Sequence, residues 1–299
     1  MSDPAVTALT DDEKAVEKLA ECVSAGKCIL FLGAGVHYPP PEGAGYTYPE
    51  NERPPLGAAL SQELAKECEF HRKFPRDSDR DLKRVALCYE LSNGRNQLVS
   101  EIRKRVDQGK QPSPVLRALA RLNFPLVITT NYDLLFERAL QGATKYPRSI
   151  IYTPNENSQT PDHEPEPNAP VILKIHGSVA EPESIVITDE DYIQFVLRMS
   201  EKEPFNPVPV TFLYHLKRWP TLFVGYSLMD YNLRLLFKTL RWRIDPAKRP
   251  DTYSVDRYPD PLILEVWWNK SRLVRFIAQD VWKFVPDLYR RVTGEEMPA

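Results

Sequence analysis

The apolar positions of this 299-residue chain fall into short continuous runs separated by longer stretches with helical spacing. CILFLGAG (28–35), PLVITTNYD (125–133), VILKIHGS (171–178) and TLFVGYS (221–227) each begin as an apolar run and end in small or polar residues. Unbroken apolar runs of this length mark strands covered on both faces, as in a parallel sheet. A further strand is predicted near 149–152, IVIT (185–188) reads as short and extended, and PLILEVWW (261–268) and RLVRFIA (272–278) read as late strands. Helical spacing predicts helices over 11–25, 56–70, 79–92, 95–107, 113–122, 132–141, 189–199, 207–218, 230–243 and 279–292. Strands that alternate with helices build βαβ units, which close with right-handed crossovers. The expected fold is α/β, a Rossmann-like doubly wound parallel sheet. One domain is expected over 1–299, with a core of 10–35 and 112–299 and a loop and helical insert at 36–111.

Composition narrows the class. A hydrophobic share of 42%, a charged share of 27% and a net charge of −2 are those of an ordinary soluble domain. Nothing in that balance calls for direct nucleic-acid binding. No apolar run reaches the roughly 18–20 residues that span a bilayer. The first residues, MSDPAVTALTDDEKAVEKLA, lack the basic and apolar regions of a signal peptide, so a cytoplasmic location is expected and a membrane is not. The 28 prolines cluster at 38–55, 154–170, 204–209 and 246–261, marking loops of the kind used as binding loops or lids. Cys22, Cys28, Cys68 and Cys88 form no C-x-x-C pair, so no four-cysteine zinc module is expected.

In open parallel sheets, ligands bind at the C-terminal ends of the strands. The polar exits of this chain fall there. Gly33-Ala34-Gly35 lets a backbone approach a phosphate, or serves only as a tight turn, since Tyr38 breaks the full G-x-G-x-x-G pattern. Asn131 can hold a ribose hydroxyl or a water, and Asp133 can accept from a carboxamide or cap the next helix. His176, beside Gly177, is either a strand-end structural residue or a general base working near neutral pH. Gly225-Tyr226-Ser227 repeats the glycine-and-hydroxyl exit. Met229 stands where a hydrolase nucleophile elbow would carry its second glycine. His37, Tyr38, Tyr46 and Tyr48 either stack on a ligand or anchor their loop. Arg234, Lys238, Arg241 and Arg243 read as a solvated or interface face.

In this order, FLGAGV (31–36), ITTNYDLLFERAL (128–140), LKIHGS (173–178) and FVGYSLMDYNLRLLF (223–237) resemble the sirtuin superfamily, and within it the NAD hydrolases of bacterial antiphage systems. The resemblance implies that NAD is the substrate and that no metal is needed. By it, Gly33, Ala34 and Gly35 would cradle the pyrophosphate, and Gly225, Tyr226 and Ser227 would line the adenosine side. Asn131 would hold the reacting ribose and a water, Asp133 the nicotinamide carboxamide, and His176 would be the base. It further implies a homo-oligomer and a separate regulatory partner, such as a defence ATPase or a short Argonaute. Protein deacylation or ADP-ribosyl transfer, and non-enzymatic sensing of NAD or ADP-ribose, are the competing functions. Two departures stand out: Val36 or His37 occupies the place of the family's serine, and Pro54-Pro55-Leu56 is the nearest echo of its short Gly-x-Pro segment.

Overall fold

A computed structural model of the chain describes residues 11–154, 156, 161, 163–200, 208–226, 228, 237, 248–270 and 273–298. Seven parallel strands form one sheet: β1 Ile29–Leu32, β2 Leu126–Thr129, β3 Arg148–Ile151, β4 Val171–Lys174, β5 Thr221–Val224, β6 Thr252–Val255 and β7 Arg275–Ile277. Their order is β3-β4-β2-β1-β5-β6-β7, so the winding reverses at β1, which lies between β2 and β5. Ile29 stands opposite both Leu126 and Thr221, and Leu32 opposite both Thr129 and Val224. This register brings the exits of β2, β1 and β5 to the same edge. The crevice at such a reversal is where an α/β sheet takes its ligand.

Alternation along each strand explains the two layers of helices. Leu30, Leu32, Val127, Ile172, Leu222 and Val224 point to one face and join a buried cluster with α1 (Asp11–Ser24), α6 (Pro114–Arg121), α7 (Leu135–Gly142) and α11 (Val281–Thr293). Ile29, Phe31, Leu126, Ile128, Leu173 and Phe223 point to the other, against Phe195 and Met199 of α8 (Asp189–Ser200) and Phe212 and Leu216 of α9 (Val210–Leu216). Because both sets of alternate positions are covered, β1, β2, β4 and β5 carry apolar residues on both faces.

The segment between β1 and α6 holds α2 (Gly57–Glu67), α3 (Phe70–Lys73), α4 (Leu82–Asn93) and α5 (Arg95–Val106). Their apolar faces, including Leu64, Phe70, Val85, Leu98 and Ile102, form a third cluster, which docks on Val179, Ile185 and Ile187 after β4. Arg95 fastens the same contact: its guanidinium reaches Glu90, Asp191 at the start of α8 and the Ile185 carbonyl. Cys28, Cys68 and Cys88 are buried, Cys22 is half-buried, and all four are free thiols.

Two expectations fail at the C-terminal side. PLILEVWW (261–268) is not a strand: Pro261–Leu264 forms the short helix α10, which continues as a π-helical turn over Glu265–Lys270. The Asp260 side chain caps it by accepting from the Leu262 and Ile263 amides, with Pro261 in the first turn. The sixth strand instead comes from TYSV, inside the proline-rich stretch 246–261 read as loop. IVIT (185–188) joins no ladder. The helix expected over 230–243 lies, apart from residue 237, outside the described residues. Among the described residues, no helix is long and apolar enough to cross a membrane.

Candidate active site

The exits of β1 and β5 interlock through their glycines. The Gly33 amide donates to the Val224 carbonyl at 2.9 Å, and the Gly35 amide to the Gly225 carbonyl at 2.8 Å. Gly225 has φ +75°, and a Cβ there would stand 2.6 Å from the Val36 nitrogen and 2.7 Å from the Gly33 oxygen. The G-A-G turn therefore owes its glycines to the approach of another chain segment. Two of its amides are used within the protein.

The exit of β2 is clamped through its backbone. Thr129 donates its hydroxyl to the Leu32 carbonyl and accepts from the Asn131 amide at 3.1 Å. Asp133 Oδ1 accepts from the Leu135 amide, the first of α7, at 2.9 Å. Asp107, at the end of the helical segment, accepts from the Leu134 amide at 2.9 Å. Buried Lys174 donates to the Asp133 carbonyl and pairs with Glu137 at 3.2 Å. All these bonds go to main chain or away from the turn. The Asn131 carboxamide has no hydrogen-bond partner among the described residues.

Asp133 is buried, and its second oxygen, Oδ2, lies 3.5 Å from His37 Nε2. Burial alone would raise its carboxyl pKa, but the His37 ring, Lys174 and the Leu135 amide together hold it below the usual carboxylate value. A folded value below the unfolded one adds stability that is present above about pH 4 and is lost as pH falls through the folded value. Asp133→Asn is therefore expected to flatten the acid side of the stability profile, read as denaturant midpoints between about pH 3 and 6. An unchanged acid limb would show that His37 and Lys174 do not act on this group.

His176 follows β4. Its ring packs edge-on against Tyr192 and Phe195 of α8, with centroids 5.1 Å away in both cases, and its Nδ1 lies 3.4 Å from the Tyr192 hydroxyl. Gly177 next to it has φ +82°, and the 181–184 turn packs directly against its Cα. Across the sheet, the Tyr226 hydroxyl accepts from the Thr130 amide at 3.2 Å and lies 3.1 Å from the Thr130 hydroxyl, which joins the β5 and β2 exits.

These exits enclose a cavity of about 140 Å³. Of the residues singled out from sequence, Ala34, Asn131, Asp133, His176 and Tyr226 line it. Gly33, Gly35 and Gly225 do not, and Ser227 lies outside the described residues. Pro54, Pro55 and Gly57 form part of the wall, so the long loop after β1 reaches the site. His37 and Tyr192 also line it. From sequence alone His37 either stacks on a ligand or anchors its loop, and Tyr192 has no predicted role. The signal for His37, a histidine directly after a strand-exit glycine turn, was present. Tyr192 carried none, because only the packing of α8 brings it to His176. Among the described residues, no group of three His, Cys, Asp or Glu side chains stands close enough to hold a metal ion.

The chain is similar in sequence to several known proteins. The chain is 27% identical over 235 residues to the NAD(+) hydrolase ThsA of Acinetobacter baumannii (strain 532279), covering 78% of this chain and 43% of that protein. It is 26% identical over 248 residues to the NAD(+) hydrolase ThsA of Enterococcus faecium, covering 80% and 45%. Against Defense-associated sirtuin 2 of Bacillus subtilis it is 25% identical over 231 residues, covering 76% and 20%. The chain thus spans less than half the length of these relatives. A family model for the SIR2-like domain matches residues 125–276, which runs from the first residues before β2 into β7. That stretch is about half of the chain and contains both Asn131 and His176, and the chain belongs to the SIR2-like domain family.

Proposed function

We propose that this site cleaves the bond between nicotinamide and ribose in NAD with water, releasing nicotinamide and ADP-ribose. One observation carries the reading: the uncommitted Asn131 carboxamide and the His176 ring open on the same cavity at the winding reversal of a SIR2-like sheet. As the glycosidic bond breaks, its electron pair passes to the pyridinium ring, which leaves as neutral nicotinamide. Positive charge then develops on the ribose, and fixed dipoles aimed at it lower the barrier. Asn131 orients the water, and His176 takes its proton as the oxygen bonds to the sugar. A cavity of about 140 Å³ suits one end of the dinucleotide, since pockets that swallow a whole drug-sized ligand hold roughly 300–1,000 Å³. Asp133 faces that end. The pyrophosphate would run past Ala34 and the adenosine toward Gly225, Tyr226 and Ser227. With the Gly33 and Gly35 amides bonded to the β5 segment and both glycines packed against it, Ala34 is the residue of this turn that lines the cavity.

The relatives named NAD(+) hydrolase support the activity, and the name Defense-associated sirtuin 2 supports a role in antiphage defence. Unchecked NAD loss kills the host, so the enzyme would act as a cytoplasmic homo-oligomer, held inactive until a partner such as a defence ATPase or short Argonaute signals infection. The test is to incubate the full chain with NAD, alone and with the protein encoded beside it, and to follow both products. Nicotinamide and ADP-ribose should appear in equal amounts. Release only with an acylated peptide would make it a deacylase. Saturable NAD binding without turnover under any partner condition would make it a sensor.

A further inference from the structure

Tyr192 of α8 lines the active-site cavity beside His176, and the attack of water on the ribose gives it no part. Its hydroxyl lies 3.4 Å from His176 Nδ1, a long hydrogen bond of the kind active sites show before substrate tightens them. Two features keep the pair in register. The imidazole is wedged edge-on against the Tyr192 and Phe195 rings, so it cannot turn without repacking α8. The first turn of α8 is itself pinned. Asp191 accepts from the Ile187 and Thr188 amides at 3.0 and 2.9 Å and pairs with Arg95 of α5 at 2.9 Å. The Tyr192 amide donates to the Thr188 carbonyl at 3.1 Å, and the Lys83 ammonium of α4 stands 5.5 Å from the centre of the Tyr192 ring.

A neutral imidazole can take a proton only through the nitrogen that carries none. It has two ways to share a hydrogen with the phenol. If the Tyr192 O–H donates to Nδ1, the ring proton sits on Nε2, and neither nitrogen is left to receive a proton from water. If Nδ1–H donates to the Tyr192 oxygen, Nε2 is bare. Once Nε2 has taken its proton, Nδ1–H still has the phenol oxygen to donate to, so the bond survives the step. A third group that orients the base in this way recurs across nucleophilic catalysis.

We propose that Tyr192 is the positioning residue of His176: its oxygen accepts from Nδ1–H and holds the ring in the tautomer whose bare Nε2 takes a proton from the attacking water. The inference rests on the NAD-hydrolysis reading for the role of the base. It also ties the helical segment to the chemistry, because Arg95 and Lys83 of that segment hold Asp191 and Tyr192.

The tautomer is read by NMR on the full chain labelled with ¹⁵N at its five histidines, the His176 ring being identified by its loss in His176→Gln. At a pH where the ring is neutral, its proton should reside on Nδ1. Tyr192→Phe keeps the ring that packs on His176 and removes only the oxygen. It should move the proton toward Nε2 and lower kcat for nicotinamide release about threefold to tenfold, the worth of one neutral hydrogen bond, with KM within about twofold. The melting midpoint should move by at most about 4 °C. Should Tyr192→Phe fail to fold, Tyr192→Met, which also lacks the oxygen, takes its place. A wild-type proton on Nε2 overturns the inference, and so does a tautomer that the variant leaves unchanged, whatever the rate. A shifted tautomer with kcat at the wild-type value overturns it too, and the hydrolase reading then stands. A tautomer that depends on Tyr192 in a protein that never turns over NAD would leave the pair standing and remove the hydrolase reading.

Discussion

Asn131→Ala should lower NAD turnover by at least about a hundredfold while leaving stability within about 0.5 kcal/mol of wild type. The split follows from what the residue does in the fold. Its main-chain amide is held by Thr129, and alanine keeps that bond. Its carboxamide makes no hydrogen bond among the described residues, so its removal breaks none there. His176→Ala should cost at least as much activity, through the lost proton acceptor. It should also cost some stability, because the imidazole fills space between Tyr192 and Phe195. His176→Gln keeps most of that volume and should recover stability without activity. Nicotinamide release and melting midpoints, measured on the same preparations, check all three. An Asn131→Ala protein that turns over NAD at the wild-type rate would remove this residue from the chemistry.

Gly177→Ala should be the most damaging single methyl in the site. At φ +82° any side chain carries a left-handed strain of about 1–2 kcal/mol. A Cβ at this position would also sit 2.1 Å from the Ser184 carbonyl oxygen and 2.3 Å from its carbon, both main-chain atoms. That turn cannot yield cheaply: the Ser184 hydroxyl accepts from the Ser178 amide at 2.9 Å and donates to the Glu181 carbonyl. Strain and overlap together should cost about 3 kcal/mol or more. Any relief that moves the turn also moves His176, so activity should fall along with the unfolding midpoint. Gly43→Ala separates the two causes, since Gly43 has φ +77° with nothing within 4 Å of a Cβ. It should lose only about 1–2 kcal/mol, the strain alone. Equal losses at the two positions would show that the overlap at Gly177 is relieved without cost.

What the sequence determined by itself was the sheet centre and the places where chemistry could sit. β1, β2, β4 and β5 were legible because a strand covered on both faces needs apolar residues at every position, and the run stops where the chain meets the crevice. That is why Gly33, Asn131, His176 and Gly225 could be picked out as strand exits without a structure. Toward the C-terminus, local pattern failed. PLILEVWW satisfies a buried strand and a buried helix equally well, and the Asp260-Pro261 start signal, readable in principle, decides for the helix. TYSV is too short and too polar to be seen as a strand until its backbone pairs with β5 and β7.

Only the tertiary structure decided what each exit residue touches. The glycines of β1 and β5 serve each other, a demand set by two segments nearly two hundred residues apart. One oxygen of Asp133 takes the Leu135 amide, and the other meets His37 because β1 and β2 are neighbours in the sheet. Tyr192 meets His176 because α8 packs on that face. Periodicity along a chain reports which side chains must leave water. It carries no information about which of the buried polar groups find one another, because those pairings are set by strand order and register between segments far apart in sequence.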